Sequence, residues 1–164
     1  EIIDNFQNIY EEKWLNMMRD KLGLFGESIN DKKLIDDLLT WMEKNKADYT
    51  NTFCYLMEID MNINKNIYKD KSFIKWISQW KKRSTINNSV KENQIELMRK
   101  NNPIVIPRNY KIEDVLTAAN IGNLHDLNKI LSILNNPYEV QKMIIDYQKP
   151  APISDEKYKT FCGT

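Results

Sequence analysis

Apolar residues recur every three or four positions along most of the chain, a spacing typical of amphipathic helices. The first such stretch covers residues 3–22 and stops at Gly23. Its predicted inward face consists of Ile3, Phe6, Tyr10, Trp14, Met17, Met18 and Leu22. The same spacing returns at residues 34–42, 47–59, 73–83, 90–100, 112–119 and 124–134. The pattern predicts an all-α fold, a single compact domain of about six or seven helices.

Prolines interrupt the helical pattern at two places. Residues 102–108 read Asn-Pro-Ile-Val-Ile-Pro-Arg, and each proline lacks an N–H and favours extended geometry in the residue before it. This segment is therefore predicted to be a proline-stiffened, extended connector. Pro137 ends the last predicted helix, and residues 137–164 are expected to form an extended C-terminal tail that lies over the helices.

Composition narrows the class of protein. The chain has 164 residues, enough for one core, and no window of about 20 apolar residues that could span a bilayer. Its 24 basic and 23 acidic residues nearly cancel, so no net field attracts nucleic acid or a membrane surface. The chain starts at Glu1 without a secretory signal, and its two cysteines lie far apart. We therefore expect a fragment of a larger protein in a reducing cytoplasm.

Residues that could carry chemistry are sparse. His125 is the only histidine, which argues against a histidine metal cluster or a Ser-His-Asp site, and we expect it to be exposed in the first turn of a helix. Residues 60–64 resemble the start of a calcium loop, but Lys65 and Lys71 stand where a glycine and a bidentate glutamate belong. No glycine-rich loop with a lysine offers a phosphate cradle. We therefore assign no catalytic, cofactor-binding or metal-binding residue to this chain.

The connector belongs to a longer string that resembles the signature of a known family. Residues 98–109 read Met-Arg-Lys-Asn-Asn-Pro-Ile-Val-Ile-Pro-Arg-Asn, and Glu113 follows. This is similar to the pattern M-x-x-x-N-P-x-x-I-P-R-N-x-x-x-E of the selenoprotein O family. Other stretches agree in the same order, at residues 21–24, 47–53, 76–83, 136–138 and 161–164. Tyr110 departs from the pattern, because the family often has His at this place.

The resemblance implies an activity for a larger parent protein. Family members are pseudokinases that carry out protein adenylylation, transferring AMP from ATP to Ser, Thr or Tyr hydroxyls with Mg or Mn, and they are bacterial or mitochondrial. Their nucleotide-binding, metal-binding and catalytic residues lie in a kinase-like region upstream, so none is carried over to this chain. The chain resembles the C-terminal third of a member, a support and regulatory region. The partners implied are its own upstream kinase-like domain and, through the parent, protein substrates in a bacterial cytoplasm.

Four residues are candidates for a role in such a parent. Cys162, third from the end, occupies the place of the selenocysteine of eukaryotic members, and an accessible thiol there can act as a redox handle. The alternative for Cys162 is an inert terminal residue. Arg108 and Asn109 either contact the upstream domain, or Arg108 pairs locally with an acid such as Glu113. Cys54 differs, because it is set among apolar residues and is expected to be buried.

A second possibility for the whole chain remains open at this stage. A free-standing helical interaction module without catalytic activity would bind a partner helix through its apolar tail or a groove. Its gene would start at or near Glu1, whereas a domain of an adenylyltransferase would follow a kinase-like stretch.

Overall fold

The computed structural model describes residues 5–59, 65–86, 90–141 and 144–151. In these segments the chain forms eight α-helices and a 3₁₀ helix, and no strand. The helices are α1 (Phe6–Lys21), α2 (Asp31–Asn45), α3 (Tyr49–Leu56), α4 (Lys71–Ser84), α5 (Lys91–Asn101), α6 (Asn109–Asn120), α7 (His125–Leu134) and α8 (Ile145–Gln148), with the 3₁₀ helix at Lys65–Lys69. The all-α class is confirmed. Among the described helices, none combines the length and apolar character needed to cross a bilayer.

Capping side chains and a glycine mark the ends of several helices. The Asp48 carboxylate accepts a hydrogen bond from the Asn51 amide at 2.8 Å, and the Asp70 carboxylate accepts one from the Phe73 amide at 3.1 Å. Both are N-caps, which satisfy amides that have no partner inside the helix. Gly23 follows α1 with φ +65°, a left-handed conformation that glycine adopts without a steric penalty.

The core fills the space between α2 and α4, and α1 packs on both α2 and α5. Trp41 of α2 stacks on Phe73 of α4, with 4.2 Å between ring centroids. The indole N–H of Trp76 donates to the Leu34 carbonyl at 2.8 Å, and that of Trp80 to the Leu22 carbonyl at 2.9 Å. These bonds let large aromatic side chains be buried without leaving a polar atom unpaired.

Part of the apolar face that the sequence predicts for α1 is exposed in the structure. The sequence predicts that Phe6, Tyr10 and Met17 face the core, and this is wrong because all three are exposed. Met18 and Leu22, from the same predicted face, are buried. Helical spacing shows that a face is apolar, but it does not show what covers that face.

The tail also differs in part from the extended segment that the sequence predicts. Ile145–Gln148 forms one helical turn, α8, with Tyr147 and Gln148 buried. Ile144, just before it, is buried as well. This turn places α8 against the connector and α3, where the candidate site lies.

Candidate functional site

The connector, residues 102–108, starts from a buried asparagine. The side-chain amide of Asn102 donates to the carbonyls of Lys21 and Met98, at 2.8 Å each. Pro103 follows and stops α5, because proline cannot donate the next helical hydrogen bond. Asn102 therefore ties the end of α1 to the end of α5 at the point where the chain turns into the connector.

The middle of the connector is held by the C-terminal tail. The Ile104 and Val105 amides both donate to the Pro137 carbonyl, at 2.7 and 3.3 Å. The Ile104 carbonyl accepts from the Gln148 side-chain amide at 3.3 Å. Extended backbone has no internal hydrogen bonds, so these contacts from the tail supply the partners that a buried connector needs.

Arg108 ends the connector with a two-pronged ion pair. Its guanidinium donates to both carboxylate oxygens of Asp48, at 2.6 and 3.0 Å, and to the Gln148 carbonyl at 3.2 Å. The same Gln148 carbonyl accepts from the Asn51 side chain at 2.9 Å. Bidentate arginine–carboxylate pairs are strong and directional. Arg108 therefore joins the connector, the start of α3 and the tail.

Cys54 lies directly beneath the connector. Its side chain is fully buried, and its sulfur lies 3.9 Å from the Ile104 carbonyl oxygen. Burial first, and the nearby Asp48 carboxylate second, raise the pKa of the thiol to about 12. Because the thiolate is the reactive form, Cys54 is an inert packing residue, and the expectation that it is buried is confirmed.

The candidate residues named from the sequence occupy different places. Arg108 pairs with Asp48, an acid 60 residues earlier in the chain, while the sequence points to Glu113 as an example of a local partner. Asn109 and Glu113 lie exposed in the first turns of α6. His125 is exposed as the first residue of α7, as expected. Cys162 and residues 60–64 lie outside the described residues.

A second polar cluster, missed by the sequence reasoning, lies between α1, α2 and α4. Asp31 is fully buried, and its oxygens lie 2.8 Å from Arg19 Nε and 2.6 Å from Arg83 Nε. Arg83 also donates to the carbonyls of Phe25 and Gly26. One carboxylate therefore holds two guanidiniums, and Arg83 fixes the turn that joins α1 to α2.

The electrostatics of this cluster follow from its hydrogen bonds. Burial by itself raises the pKa of Asp31, but hydrogen bonds from Arg83, Arg19 and the Ser28 amide outweigh it and hold the pKa below its ordinary value. In the sequence, Arg83 is the last residue of the basic run Lys81-Lys82-Arg83, and the run by itself does not distinguish it from a surface cation. Arg83 follows Trp80, a core residue, by three positions, and this helical spacing indicates that the two side chains share the buried face.

The described side chains can be checked directly for a metal site. Within residues 5–59, 65–86, 90–141 and 144–151, no group of three or more His, Cys, Asp or Glu side chains is placed to hold a metal ion. The buried arginines are already engaged, Arg19 and Arg83 with Asp31 and Arg108 with Asp48. The two polar clusters are therefore arranged to join segments of the chain.

Comparisons with known proteins identify the family of this chain. A family model described as protein adenylyltransferase SelO matches residues 1–135. A protein nucleotidyltransferase YdiU from Pelagibacter ubique is 50% identical over 164 residues, which is 100% of this chain and 34% of the relative. Relatives of the same name from Clostridium beijerinckii and Bacillus mycoides are 40% and 41% identical, each matched over 99% of this chain and 33% of its own length. This chain thus spans about a third of the length of the curated relatives it matches, and it belongs to the protein adenylyltransferase SelO family.

Proposed function

We propose that this chain is the C-terminal helical lobe of a larger protein adenylyltransferase and that it supports and regulates the catalytic domain. One observation carries the proposal: relatives named protein nucleotidyltransferase match all or nearly all of this chain, yet are about three times as long. The remaining two thirds then supply the kinase-like domain upstream. The parent transfers AMP from ATP to Ser, Thr or Tyr hydroxyls of bacterial cytoplasmic proteins, with Mg²⁺ or Mn²⁺.

The chemistry of AMP transfer supports placing catalysis in the upstream domain and a supporting role in this chain. A substrate hydroxyl oxygen forms a bond to the α-phosphorus of ATP, and the bond to the pyrophosphate leaving group breaks. Such a step needs cationic groups that are free to face the phosphates. Arg19, Arg83 and Arg108 are committed to carboxylates within the lobe. We therefore assign ATP and metal binding to the upstream domain and no catalytic residue to this chain.

The anchored connector suits a supporting role. Arg108 and Asn102 fix its two ends, and the tail forms hydrogen bonds to the backbone of Ile104 and Val105 between them. A lobe built in this way presents its surface with little loss of conformational entropy when it meets another domain. In this proposal the exposed side chains of Asn109 and Glu113, next to the connector, contact the upstream domain.

Regulation in this proposal passes through Cys162, the third residue from the end. Cys162 and a cysteine of the upstream domain would form a disulfide by exchange with a small-molecule disulfide. The two protein thiols give up two electrons and two protons, and the small-molecule disulfide is reduced to two thiols. Such a bond would restrict the motion of the domains relative to each other. Cys54 does not suit this role, because its thiol is buried and its pKa is raised.

The proposal is tested with ATP labelled on its α-phosphate. The full-length parent with Mg²⁺ is expected to label proteins, whereas residues 1–164 alone are expected neither to label proteins nor to bind ATP in calorimetry. Micromolar ATP binding by this chain would contradict the assignment of the nucleotide site. A gene that starts at or near Glu1, with no kinase-like stretch before it, would instead support the free-standing interaction module.

The redox role has its own test in the full-length parent. AMP transfer is measured under oxidising and reducing conditions for the wild type, Cys162→Ser and, as the control thiol of the same lobe, Cys54→Ala. The wild type and Cys54→Ala are expected to respond to oxidation, and Cys162→Ser is expected not to. An unchanged response in Cys162→Ser would remove Cys162 from the proposal.

A further inference from the structure

The first half of α1 is much more exposed than its second half. Residues 5–13 are all exposed, whereas Met18 and Arg19, near the other end of the helix, are buried. The exposed half includes two aromatic side chains, Phe6 at 64% and Tyr10 at 57% of their full accessibility. These are large apolar groups in water on a helix whose other half is packed.

These side chains form one stripe with Met17, which is 44% exposed. At about 100° per residue, Phe6, Tyr10 and Met17 point within about 40° of one another on the helix. The rings of Phe6 and Tyr10 stack with 6.3 Å between their centroids. Trp14, half-buried against the core, lies between this stripe and the buried face. The stripe is therefore a second apolar face of α1, about 100° around the helix from the buried Met18, and the residues that the structure describes leave it exposed.

The exposed turns of α1 make polar contacts at the surface, where Gln7 donates to Glu11 at 3.2 Å and Glu11 lies 3.8 Å from Lys32 of α2. Exposed contacts of this kind add little stability. The side chain of Asn5, the residue before α1, makes no capping hydrogen bond, and the first turn has no acidic residue to complement the helix dipole. Helices of this length are marginal in water unless an apolar face is packed. The amphipathic sequence of residues 6–17 thus fits a helix that is covered on the Phe6–Tyr10–Met17 side.

The size of the stripe suits contact with another domain. Each aromatic side chain can bury about 150–250 Å², so Phe6, Tyr10 and Met17 together can remove a few hundred Å² from water. This is the scale of the apolar centre of an interdomain interface of about 600–1,500 Å². Lys13, exposed and about 20° around the helix from Phe6, would lie in a polar rim beside it.

We propose that the stripe of Phe6, Tyr10 and Met17 docks on the upstream domain of the parent, an inference that rests on the proposed function. The chain spans about a third of the length of its relatives, so about two thirds of such a protein lies outside it. The stripe lies on the first helix, beside the point where an upstream domain joins this lobe. Docking there covers the apolar face that this lobe leaves exposed.

Hydroxyl-radical footprinting of the full-length parent, read by mass spectrometry, tests the docking at Tyr10. The lobe contains two reference tyrosines of the same chemistry, Tyr138 at 47% exposure and Tyr68 at 4%. Rates are normalised to those of the same peptides in the urea-unfolded parent. If the stripe is covered as an interface centre is, Tyr10 reacts about fivefold more slowly than Tyr138 and close to the rate of Tyr68. A Tyr10 rate equal to that of Tyr138 overturns the proposal.

Two further arms identify what covers the stripe. Protection of Tyr10 that disappears on dilution means that a second copy occupies the stripe, and protection lost on deletion of residues 152–164 means that the tail does. Either result overturns the proposal. In the parent, Tyr10→Asp is expected to raise the labelling of Met17 severalfold, and Tyr138→Asp is expected to leave it unchanged. Equal Met17 labelling in both variants also contradicts docking.

AMP transfer measured on the same preparations separates the two proposals. A parent that transfers AMP while Tyr10 reacts freely retains the proposed function and loses the docking surface. A parent that protects Tyr10 but transfers no AMP retains the docking surface and loses the proposed function.

Discussion

A methyl group added at Gly23, between α1 and α2, should destabilise this lobe strongly. Its φ of +65° is strained for any residue with a Cβ, at about 1–2 kcal/mol. A Cβ there would also lie 2.5 Å from Gln94 Cγ, 2.8 Å from the Gln94 carbonyl oxygen and 2.9 Å from Met98 Cγ. Overpacking of this kind costs about 1–3 kcal/mol more. Gly23→Ala is therefore expected to lower the free energy of unfolding by about 2–5 kcal/mol.

Gly122, after α6, provides the matched control. Its φ is +84°, and nothing lies within 4 Å of a Cβ built on it. Gly122→Ala should therefore cost only the backbone strain, about 1–2 kcal/mol. Urea unfolding of residues 1–164, followed by circular dichroism, measures both variants against the wild type. Equal losses of stability in Gly23→Ala and Gly122→Ala would refute the clash with α5 as the cause.

Three largely buried side chains, those of Asp31, Arg108 and Cys54, give further predictions. Asp31→Asn removes the buried counter-charge of Arg83 and leaves Arg19 with the exposed Glu27 carboxylate at 3.3 Å, so urea unfolding should show a loss of about 3–5 kcal/mol. Asp37→Asn, at a carboxylate whose side chain is 43% exposed, should cost less than about 1 kcal/mol. Hydrogen bonds from the arginines outweigh burial and lower the pKa of Asp31. The stabilising contribution of its carboxylate is therefore complete above the ordinary pKa of 3.8 and is lost as pH falls below it. Urea unfolding over a pH series should show less acid sensitivity in Asp31→Asn than in the wild type. Arg108→Met removes the hydrogen bonds to Asp48 and to the tail. Hydrogen exchange of the Gln148 amide, measured by NMR, should become about tenfold or more faster, consistent with the loss of about 1.5–3 kcal/mol for charged hydrogen bonds. An unchanged exchange rate would refute the anchoring role of Arg108. Cys54, with a pKa near 12, should resist iodoacetamide at pH 8 in the folded chain and react in urea, with its peptide resolved from that of Cys162 by mass spectrometry. Rapid alkylation of Cys54 itself in the native chain would contradict its burial.

Local sequence signals predict most of the fold because they act over a few residues. Apolar spacing locates α2 and α4, and the prolines at 103 and 107 mark the connector. The exposure of Phe6 and Tyr10 could not be predicted in this way. A helix carries the pattern of its apolar face, while the surface that covers this face belongs to another part of the chain or to another protein.

The polar anchors escape prediction for a related reason. Arg83 meets Asp31 across 52 residues, and Arg108 meets Asp48 across 60. Charged residues are abundant in this chain, so many pairings are compatible with the sequence, and only the packed helices select one. The spacing of Arg83 from Trp80 does place it on a buried face, which indicates that a partner must exist without identifying it.

The ion cluster of α1, α2 and α4 also constrains how this lobe can diverge. Loss of Asp31 removes the buried counter-charge of Arg83 and one of the two carboxylates beside Arg19. Loss of Arg83 removes a hydrogen-bond donor from the Phe25 and Gly26 carbonyls. Replacement of the whole cluster by apolar residues can be nearly neutral, but each single step toward that state passes through a less stable protein. Lineages are therefore expected to keep Arg19, Asp31 and Arg83 together or to exchange all three, with intermediate combinations purged by selection.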